Sequence, residues 1–383
     1  MSVRDERDDK MMRVALRAAA RGDGRSYPNP SVGAVVFRGD RVLGRGTTRP
    51  QPAGAHAEIV AMAAARRKFG ARALRGASLA VTLEPCNFKG RTGACTEAIL
   101  ESGIVRVVVG CRDPYSRVRG RGIQRLRRRG IEVTTLVLES DCRYQHRGFI
   151  SVCERGRPYV TLKMATTLDG RIALADGQSR WITNTRSREL VHRLRDRSDA
   201  VMVGSETALA DDPILDVRRG GRTRRTPVRI LLDGKLRVPT EARLYDCDED
   251  AETWVICRAR ARGIRRARAS ATRVLEISST PNGFVDLALA FRRLASEGLT
   301  TVLVEGGGRL AAALLRANLV DEVHWMLAPK MIGDDGRAAL GPLELARLSD
   351  AFTIDPLTVT RRGEDIHLHG PLLRKPGRGS RVG

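Results

Sequence analysis

Aromatic residues are scarce: Phe, Trp and Tyr together make up 4% of the 383 residues. Lysine is scarcer still among the cations, with Arg supplying nearly all of the 68 basic side chains. No apolar run approaches the roughly 20 residues that cross a bilayer. The opening stretch MSVRDERDDKMM has no apolar core of a signal peptide. These absences leave no membrane partner to expect and point to a soluble cytoplasmic protein. Internal repeats and low-complexity blocks are also missing, apart from a Gly/Arg-rich end. The seven Cys (86, 95, 111, 142, 153, 247 and 257) are odd in number and irregular in spacing, which argues against a disulfide framework.

What is abundant is arginine, giving a net charge of +24. The Arg is spread along the whole chain, and phosphate binding alone would not demand so strong a bias over Lys. It reads first as a solvated basic surface and next as provision for an anionic small substrate. No nucleic-acid partner is expected. Hydrophobic content of 42% is enough for real cores, and the length implies two or more domains.

The first part alternates helix and strand. DKMMRVALRAAARG has apolar residues at helical spacing, SVGAVVFRGDRVLGRG reads as two strands about a Gly-Asp turn, and AEIVAMAAARRKFG is a helix. ASLAVTLEP and IVRVVVGC are strands, CTEAILESG is a short helix between them, and GRGIQRLRRRGIEVTTLV is a helix followed by a strand. A join falls near CRYQHRGFISVCERGRP, after which YVTLKMA, RSRELVHRLRDRS, AVMVG, VRILLDG, TWVICR, TTVLVEGGG, RLAAALLRANL and EVHWMLAP start a second α/β unit. The expected domains are 1–150 and 157–372, with a disordered basic tail over 373–383.

Chemistry is concentrated in GAHAEIVA and LEPCNFKGRTGAC. A catalytic zinc takes three protein ligands and keeps one open position. His56, Cys86 and Cys95 would supply N, S and S. Glu58 lies two residues from His56 and need not bind metal. In zinc deaminases such a Glu moves protons between the activated water, the ring and the departing ammonia. HAE opens a helix, Cys86 follows a strand and Pro85, and Cys95 starts the next helix, where the positive helix end favours a thiolate.

Deaminases of nucleosides or nucleic-acid bases show P-C-x-x-C, whereas here eight residues separate the two Cys. With PNPSVGAVV upstream and GRTGAC at the end, the segment resembles the deaminase half of the bifunctional riboflavin-biosynthesis deaminase/reductase. VTLKMATTLDGRIALADGQSRWIT, VHRLRDRSDAVMVGSETALADDPILDVR and VEGGGRL follow in the order of its reductase half. The resemblance covers about residues 10–370. It implies an α/β chain with a cytidine-deaminase-like zinc domain followed by a dihydrofolate-reductase-like domain. It implies Zn2+ and NADPH as cofactors, a phosphorylated pyrimidine as substrate, and a homo-oligomer. The reactions implied are deamination of 2,5-diamino-6-(5-phosphoribosylamino)pyrimidin-4-one and then reduction of its ribosyl chain to ribityl.

The residues alone say less of the second site. TTVLVEGGGRLAAALL reads as strand, Gly-rich loop and helix, a place where backbone N–H groups can approach a diphosphate, but it is not the G-x-G-x-x-G fingerprint. The resemblance places substrate contacts on Ser179, Arg195, Leu215, Arg218 and Glu305. It places cofactor contacts on Ala165, Trp181, Thr207, Asp211, Gly234 and the loop Gly307, Gly308, Arg309, with Thr183 close by. Guanidinium binds phosphate bidentately, which suits Arg195 and Arg218. Lys163 matches the family's active-site Lys and is expected, with Glu305 and Asp211, to handle protons and charge.

The deaminase half departs from the family pattern at four places. Phe88 stands where a His is common, Thr48 where a His often precedes H-A-E, Tyr115 where Asn is usual, and GRTGAC replaces Gly-Arg-Thr-Pro-Pro-Cys. Asn29 is kept and is implied to hold the pyrimidine. Two enzyme readings stay open: the ordinary riboflavin enzyme, or a paralogue acting on a related pyrimidine in a pteridine-like pathway. A reading of another class, an Arg-rich RNA-binding or base-editing protein, has the Cys spacing and the reductase half against it.

Overall fold

The computed structural model describes residues 6–50, 54–88, 93–246 and 251–373. Cys247, most of GRTG within GRTGAC and the tail from 374 lie outside the described residues. Leu373, expected in that tail, donates its N–H to Thr353 O at 2.8 Å. Among the described residues no helix is long and apolar enough to cross a membrane. The chain divides into two compact units, Met1–Arg157 and Pro158–Gly383. The first ends later than position 150 because a helix runs through that position.

In the first unit the elements are α1 (Glu6–Ala19), β1 (Gly33–Arg38), β2 (Arg41–Thr47), α2 (Ala57–Phe69), β3 (Ser78–Leu83), α3 (Cys95–Ser102), β4 (Arg106–Cys111), α4 (Arg121–Arg128), β5 (Glu132–Thr135), α5 (Glu139–Gln145) and α6 (Arg147–Arg155). The strands form one sheet, β2-β1-β3-β4-β5. The β1–β2 hairpin and the β1–β3 pair are antiparallel, while β3, β4 and β5 run parallel. Strand residues alternate between the faces, so β1 builds two cores at once. Ala34 and Val36 join α2, α3 and α4 in one cluster, and Val35 and Phe37 join α1 and Cys142 of α5 in the other.

The seat of α2 is set by glycine. A Cβ on Gly44 would come within 2.2 Å of Ala61 O, and one on Gly46 within 2.1 Å of Ala57 O. Only bare backbone on β2 permits this approach, and the helix answers with fully buried Ala57, Ala61 and Ala65. His56 and Glu58 therefore leave a helix start pressed directly onto the sheet.

The second unit contains β6 (Tyr159–Thr167), β7 (Arg171–Ala173), α7 (Thr185–Asp196), β8 (Ala200–Gly204), α8 (Ser205–Asp211), β9 (Val217–Arg219), β10 (Arg222–Arg225), β11 (Val228–Leu232), β12 (Thr253–Arg258), α9 (Ile264–Ser270), β13 (Arg273–Ile277), α10 (Leu287–Ser296), β14 (Thr301–Val304), α11 (Gly308–Arg316), β15 (Glu322–Ala328), β16 (Arg337–Ala338), β17 (Thr358–Arg362) and β18 (Asp365–Pro371). Its main sheet has the order β13-β12-β11-β8-β14-β6-β15-β18-β17. From β13 to β15 all pairs are parallel, while β18 and β17 add an antiparallel edge. After β13 the chain returns to place β14 between β8 and β6. That reversal of direction, at the carboxyl ends of the strands, is where open α/β sheets hold ligands.

Candidate active sites

The first site is built by three chain segments. His56 caps α2, Cys86 sits in the turn after β3, and Cys95 begins α3. His56 Nδ1 lies 3.1 Å from Cys95 Sγ and 3.6 Å from Cys86 Sγ, and the Cys95 N–H points at Cys86 Sγ at 3.3 Å. The three donor atoms lie within 4.8 Å of one another. One imidazole and two thiols converging on one point fit a borderline-soft cation, zinc above all.

The electrostatics suit that cation. The Cys86 thiol is pulled down, to about 4, first by the hydrogen bond from Cys95 and then by His56, while Cys95 rises by holding the shared proton and by burial. Glu58 is buried within reach of Cys95 Sγ, and burial pushes its carboxyl above the usual range. A carboxyl so placed holds a proton more readily than an exposed one, as a group that takes up and returns protons must.

Sequence reasoning missed Glu84, two residues before Cys86. Its buried carboxylate accepts the N–H groups of Asp113 (3.3 Å), Gly120 (2.8 Å), Gly122 (3.0 Å) and Ile123 (3.2 Å). It thus ties the Pro-Cys turn to the loop after β4 and to the start of α4. The signal available was an acid directly before Pro-Cys.

The departures from the family pattern fall into two kinds. Thr48 is buried, and its Oγ1 accepts the Val32 N–H at 3.0 Å, which fastens the end of β2 to the entry of β1. Phe88 and Tyr115 instead meet each other, with ring centroids 6.3 Å apart and planes tilted by 54°, both partly exposed. Their pairing joins the turn after Cys86 to the loop that Glu84 holds. Asn29 is half-buried, and its N–H goes to Ser26 O at 2.9 Å.

In the second unit Lys163 on β6 and Glu305 after β14 face each other at 3.8 Å. Arg195 of α7 grips Glu305 through Nε (2.5 Å) and Nη2 (3.0 Å), and its Nη1 donates to Asp216 O at 2.9 Å. Burial lowers the Lys163 pKa against the pull of Glu305 and Asp211. Burial also works to raise Glu305, but Arg195 and Lys163 outweigh it and the net shift is down. Asp211 accepts from Ser179 Oγ at 3.3 Å. The structure therefore brings Lys163, Glu305, Arg195, Asp211 and Ser179 into one constellation.

Two expected substrate contacts take a different form. Arg195 has committed three donors to Glu305 and Asp216, so it holds the carboxylate in place. Arg218, half-exposed and paired with Asp216 Oδ1 at 3.2 Å, is the more accessible cation. The Leu215 side chain is buried in the core beside Val203 and Leu231, so it can reach a ligand only through its backbone.

Beyond the carboxyl ends of β8, β11, β12 and β14 lies a cleft of about 970 Å3. Thr207, Gly234, Gly307 and Arg309 line it as expected, and Lys235, Arg237, Arg258 and Phe284, which sequence reasoning missed, line it too. Its basic rim and glycine-lined wall fit a phosphate-rich dinucleotide. The glycines divide their work. The Gly307 N–H is already given to Thr207 Oγ1 at 2.9 Å. A Cβ on Gly308 would come within 2.8 Å of Ala339 O, so close packing requires a glycine there. Trp181 is exposed under the Arg188 guanidinium (4.5 Å), and its carbonyl accepts from Lys330 Nζ at 2.7 Å. The Thr183 carbonyl accepts from Arg188 Nη1 at 2.7 Å, and Ala165 packs beside Met326 and α7. None of these last three lines the cleft.

Comparison with known proteins finds matches to both units. A family model described as the RibD C-terminal domain matches residues 158–368, and one described as the cytidine and deoxycytidylate deaminase zinc-binding region matches residues 5–111. The riboflavin biosynthesis protein RibD of Aquifex aeolicus is 37% identical, covering 94% of this chain and 97% of that protein. That of Escherichia coli is 36% identical, covering 94% and 98%. A solved RibD structure from Acinetobacter baumannii aligns with a TM-score of 0.83 at 33% identity over 96% of this chain and 99% of its own. A diaminohydroxyphosphoribosylaminopyrimidine deaminase/5-amino-6-(5-phosphoribosylamino)uracil reductase from Thermotoga maritima aligns at 0.82 and 33% identity, over 95% and 98%.

Proposed function

The chain belongs to the RibD family of bifunctional riboflavin-biosynthesis enzymes, with Zn2+ and NADPH as cofactors, and from that premise we propose its substrates and the residue that carries each step. The first unit deaminates 2,5-diamino-6-(5-phosphoribosylamino)pyrimidin-4-one. The second reduces the ribosyl chain of the product to ribityl. The observation that carries this reading is the convergence of His56, Cys86 and Cys95 beside buried Glu58, on the same chain as the Lys163–Glu305–Arg195 constellation.

His56, Cys86 and Cys95 would hold the zinc, which when bound would supply a Lewis acid that lowers the pKa of water. Glu58 carries two protons in turn on its carboxylate, the first from water to the ring nitrogen and the second from the resulting hydroxyl to the departing amine. Glu84 fixes the Pro-Cys turn, and Asn29 orients the pyrimidine. In the second unit the cleft along Thr207, Gly234, Gly307 and Arg309 would hold NADPH, which when bound would supply the hydride. Lys163 provides the proton, and Arg195 keeps Glu305 ionised and in place beneath it. Asp211 with Ser179 lines the junction of cofactor and substrate, and Arg218 reaches for the substrate phosphate. The proposal also includes a cytoplasmic location and a homo-oligomeric assembly, as expectations carried from the family.

Complementation of a riboflavin auxotroph that lacks the bifunctional enzyme tests this reading. The wild-type gene is expected to restore growth. Cys86→Ser is expected to fail, and the purified variant to hold no zinc in its first unit. Growth with Cys86→Ser would remove this ligand set.

The Phe88–Tyr115 contact favours one alternative, a pocket reshaped for a related pyrimidine. Two aromatic rings replace two hydrogen-bonding side chains, and each neutral hydrogen bond not replaced weakens binding by roughly 0.5–1.5 kcal/mol. If the riboflavin precursor is the true substrate, Phe88→His with Tyr115→Asn should lower the deaminase KM. No gain on the precursor from a wild type that is itself slow on it would favour the reshaped pocket. No gain from a wild type that is already efficient would mark the substitutions as neutral.

A further inference from the structure

The chain has six His, and three of them meet in one place far from His56 in sequence. His324 lies on β15, directly opposite His369 on β18, and His367 lies two residues before His369. Strand alternation puts Glu322 and His324 on one face of the sheet together with His367 and His369. The three rings stack with centroids 4.5–5.1 Å apart and planes within 10–21°. His324 Nδ1 is 3.0 Å from His367 Nε2, and His324 Nε2 is 3.3 Å from Glu322 Oε1. One ligand atom each from Glu322, His324 and His369 falls within a span of 4.8 Å. Glu322, His324 and His367 are buried, while His369 is half-exposed and leaves the cluster open on one side.

We propose that Glu322, His324 and His369 form a second metal site, for a divalent first-row transition cation, with His367 as its positioning residue. Two imidazole nitrogens and a carboxylate oxygen are donors of intermediate hardness. They suit Zn2+, Ni2+, Co2+ or Cu2+, and not Ca2+ or Mg2+, which take oxygen throughout. The hydrogen-bond chain supports the assignment. A ligating His gives its other ring N–H to an outer partner, which fixes its tautomer. Here His324 Nδ1–H can donate to His367 Nε2. In that tautomer the Nε2 lone pair and the Glu322 carboxylate present two donor atoms side by side to a cation. His367 Nδ1 is itself buried without a hydrogen-bond partner, so the ring is held by packing and by His324.

Such a cation would join β15, in the parallel sheet, to β18 of the antiparallel edge. β15 pairs with β6 so that His324 lies opposite Lys163, and the clamp therefore backs the strand that carries the reductase Lys. Its role is structural, since none of its ligands belongs to the constellation around Glu305.

The test uses full-length protein without a His tag, dialysed against Zn2+ and then against buffer, with metal measured by elemental analysis. Two zinc per chain are expected in the wild type and one in His369→Asn, with ammonia release unchanged. Cys86→Ser should also hold one zinc, which separates failure of this site from failure of the deaminase site. The unfolding midpoint of Cys86→Ser should rise on adding Ni2+ or Zn2+, and that rise should disappear when His369→Asn is combined with it. A Cys86→Ser protein that binds no zinc and shows no shift would overturn the proposal. So would a second zinc that persists unchanged in His369→Asn. Should His369→Asn fail to fold, the Cys86→Ser stoichiometry alone decides.

Discussion

Glu58→Gln is expected to keep its zinc and to lose ammonia release by on the order of a thousandfold, within the range that a positioned general acid–base group supplies. The two side chains are nearly isosteric, so the start of α2 and the three ligand atoms should not move. What changes is the proton. Burial keeps the Glu58 carboxyl above its usual pKa, which lets it both accept a proton from water and return one to the amine. An amide can do neither. Zinc content and the thermal midpoint should match the wild type, which isolates the chemical step from metal binding. Normal turnover with full zinc would show that the proton travels by another group.

Lys163→Ala should abolish most NADPH oxidation, by roughly a hundredfold or more if the ammonium is the proton donor, while deamination continues. Each unit has its own core, so loss of one side chain on β6 need not disturb the zinc site. The truncation should also fold, because Glu305 keeps its bidentate partner Arg195. Arg195→Ala differs, since it would leave a buried carboxylate with only Lys163 at 3.8 Å. Breaking a buried pair from one side typically costs about 3–5 kcal/mol. Parallel assays of ammonia and NADPH on Lys163→Ala check the separation. A folded protein lacking both activities would contradict two independent sites.

The alternation of helix and strand was legible because each element carries its own period and stop signal. The zinc ligands were legible because the chemistry fixes residue types at short, ordered spacings around HAE and P-C. What stayed hidden depends on contacts distant in sequence. The segment containing Arg147–Arg155 looked like a join, because the helix is only nine residues long and is flanked by charged and polar residues. The β17–β18 hairpin was missed because DIHLHG alternates His with apolar residues and reads as polar. Its histidines meet His324 only through strand register, across 43 residues for His367. Phe88 and Tyr115 were each noticed, but nothing in their spacing announced that they touch. The Gly-rich loop was read as a place for a diphosphate, and the close approach of the Ala338 and Ala339 backbone to Gly308 could not be read from the run of glycines.

The bare stretch of β2 beneath α2 has a consequence for how the enzyme acquires its metal. In small zinc modules the apo chain is unfolded, and the ion must supply the free energy of folding. Here the helix is already locked by Gly44 and Gly46 against Ala57, Ala61 and Ala65, and Glu84 locks the opposite wall through four backbone amides. The ordering entropy of the ligand set is met by apolar packing during synthesis, before any ion arrives. The first unit is therefore expected to fold without the ion and to take it up afterwards. Its binding energy then appears as affinity and slow release, and little of it is spent on holding the protein together.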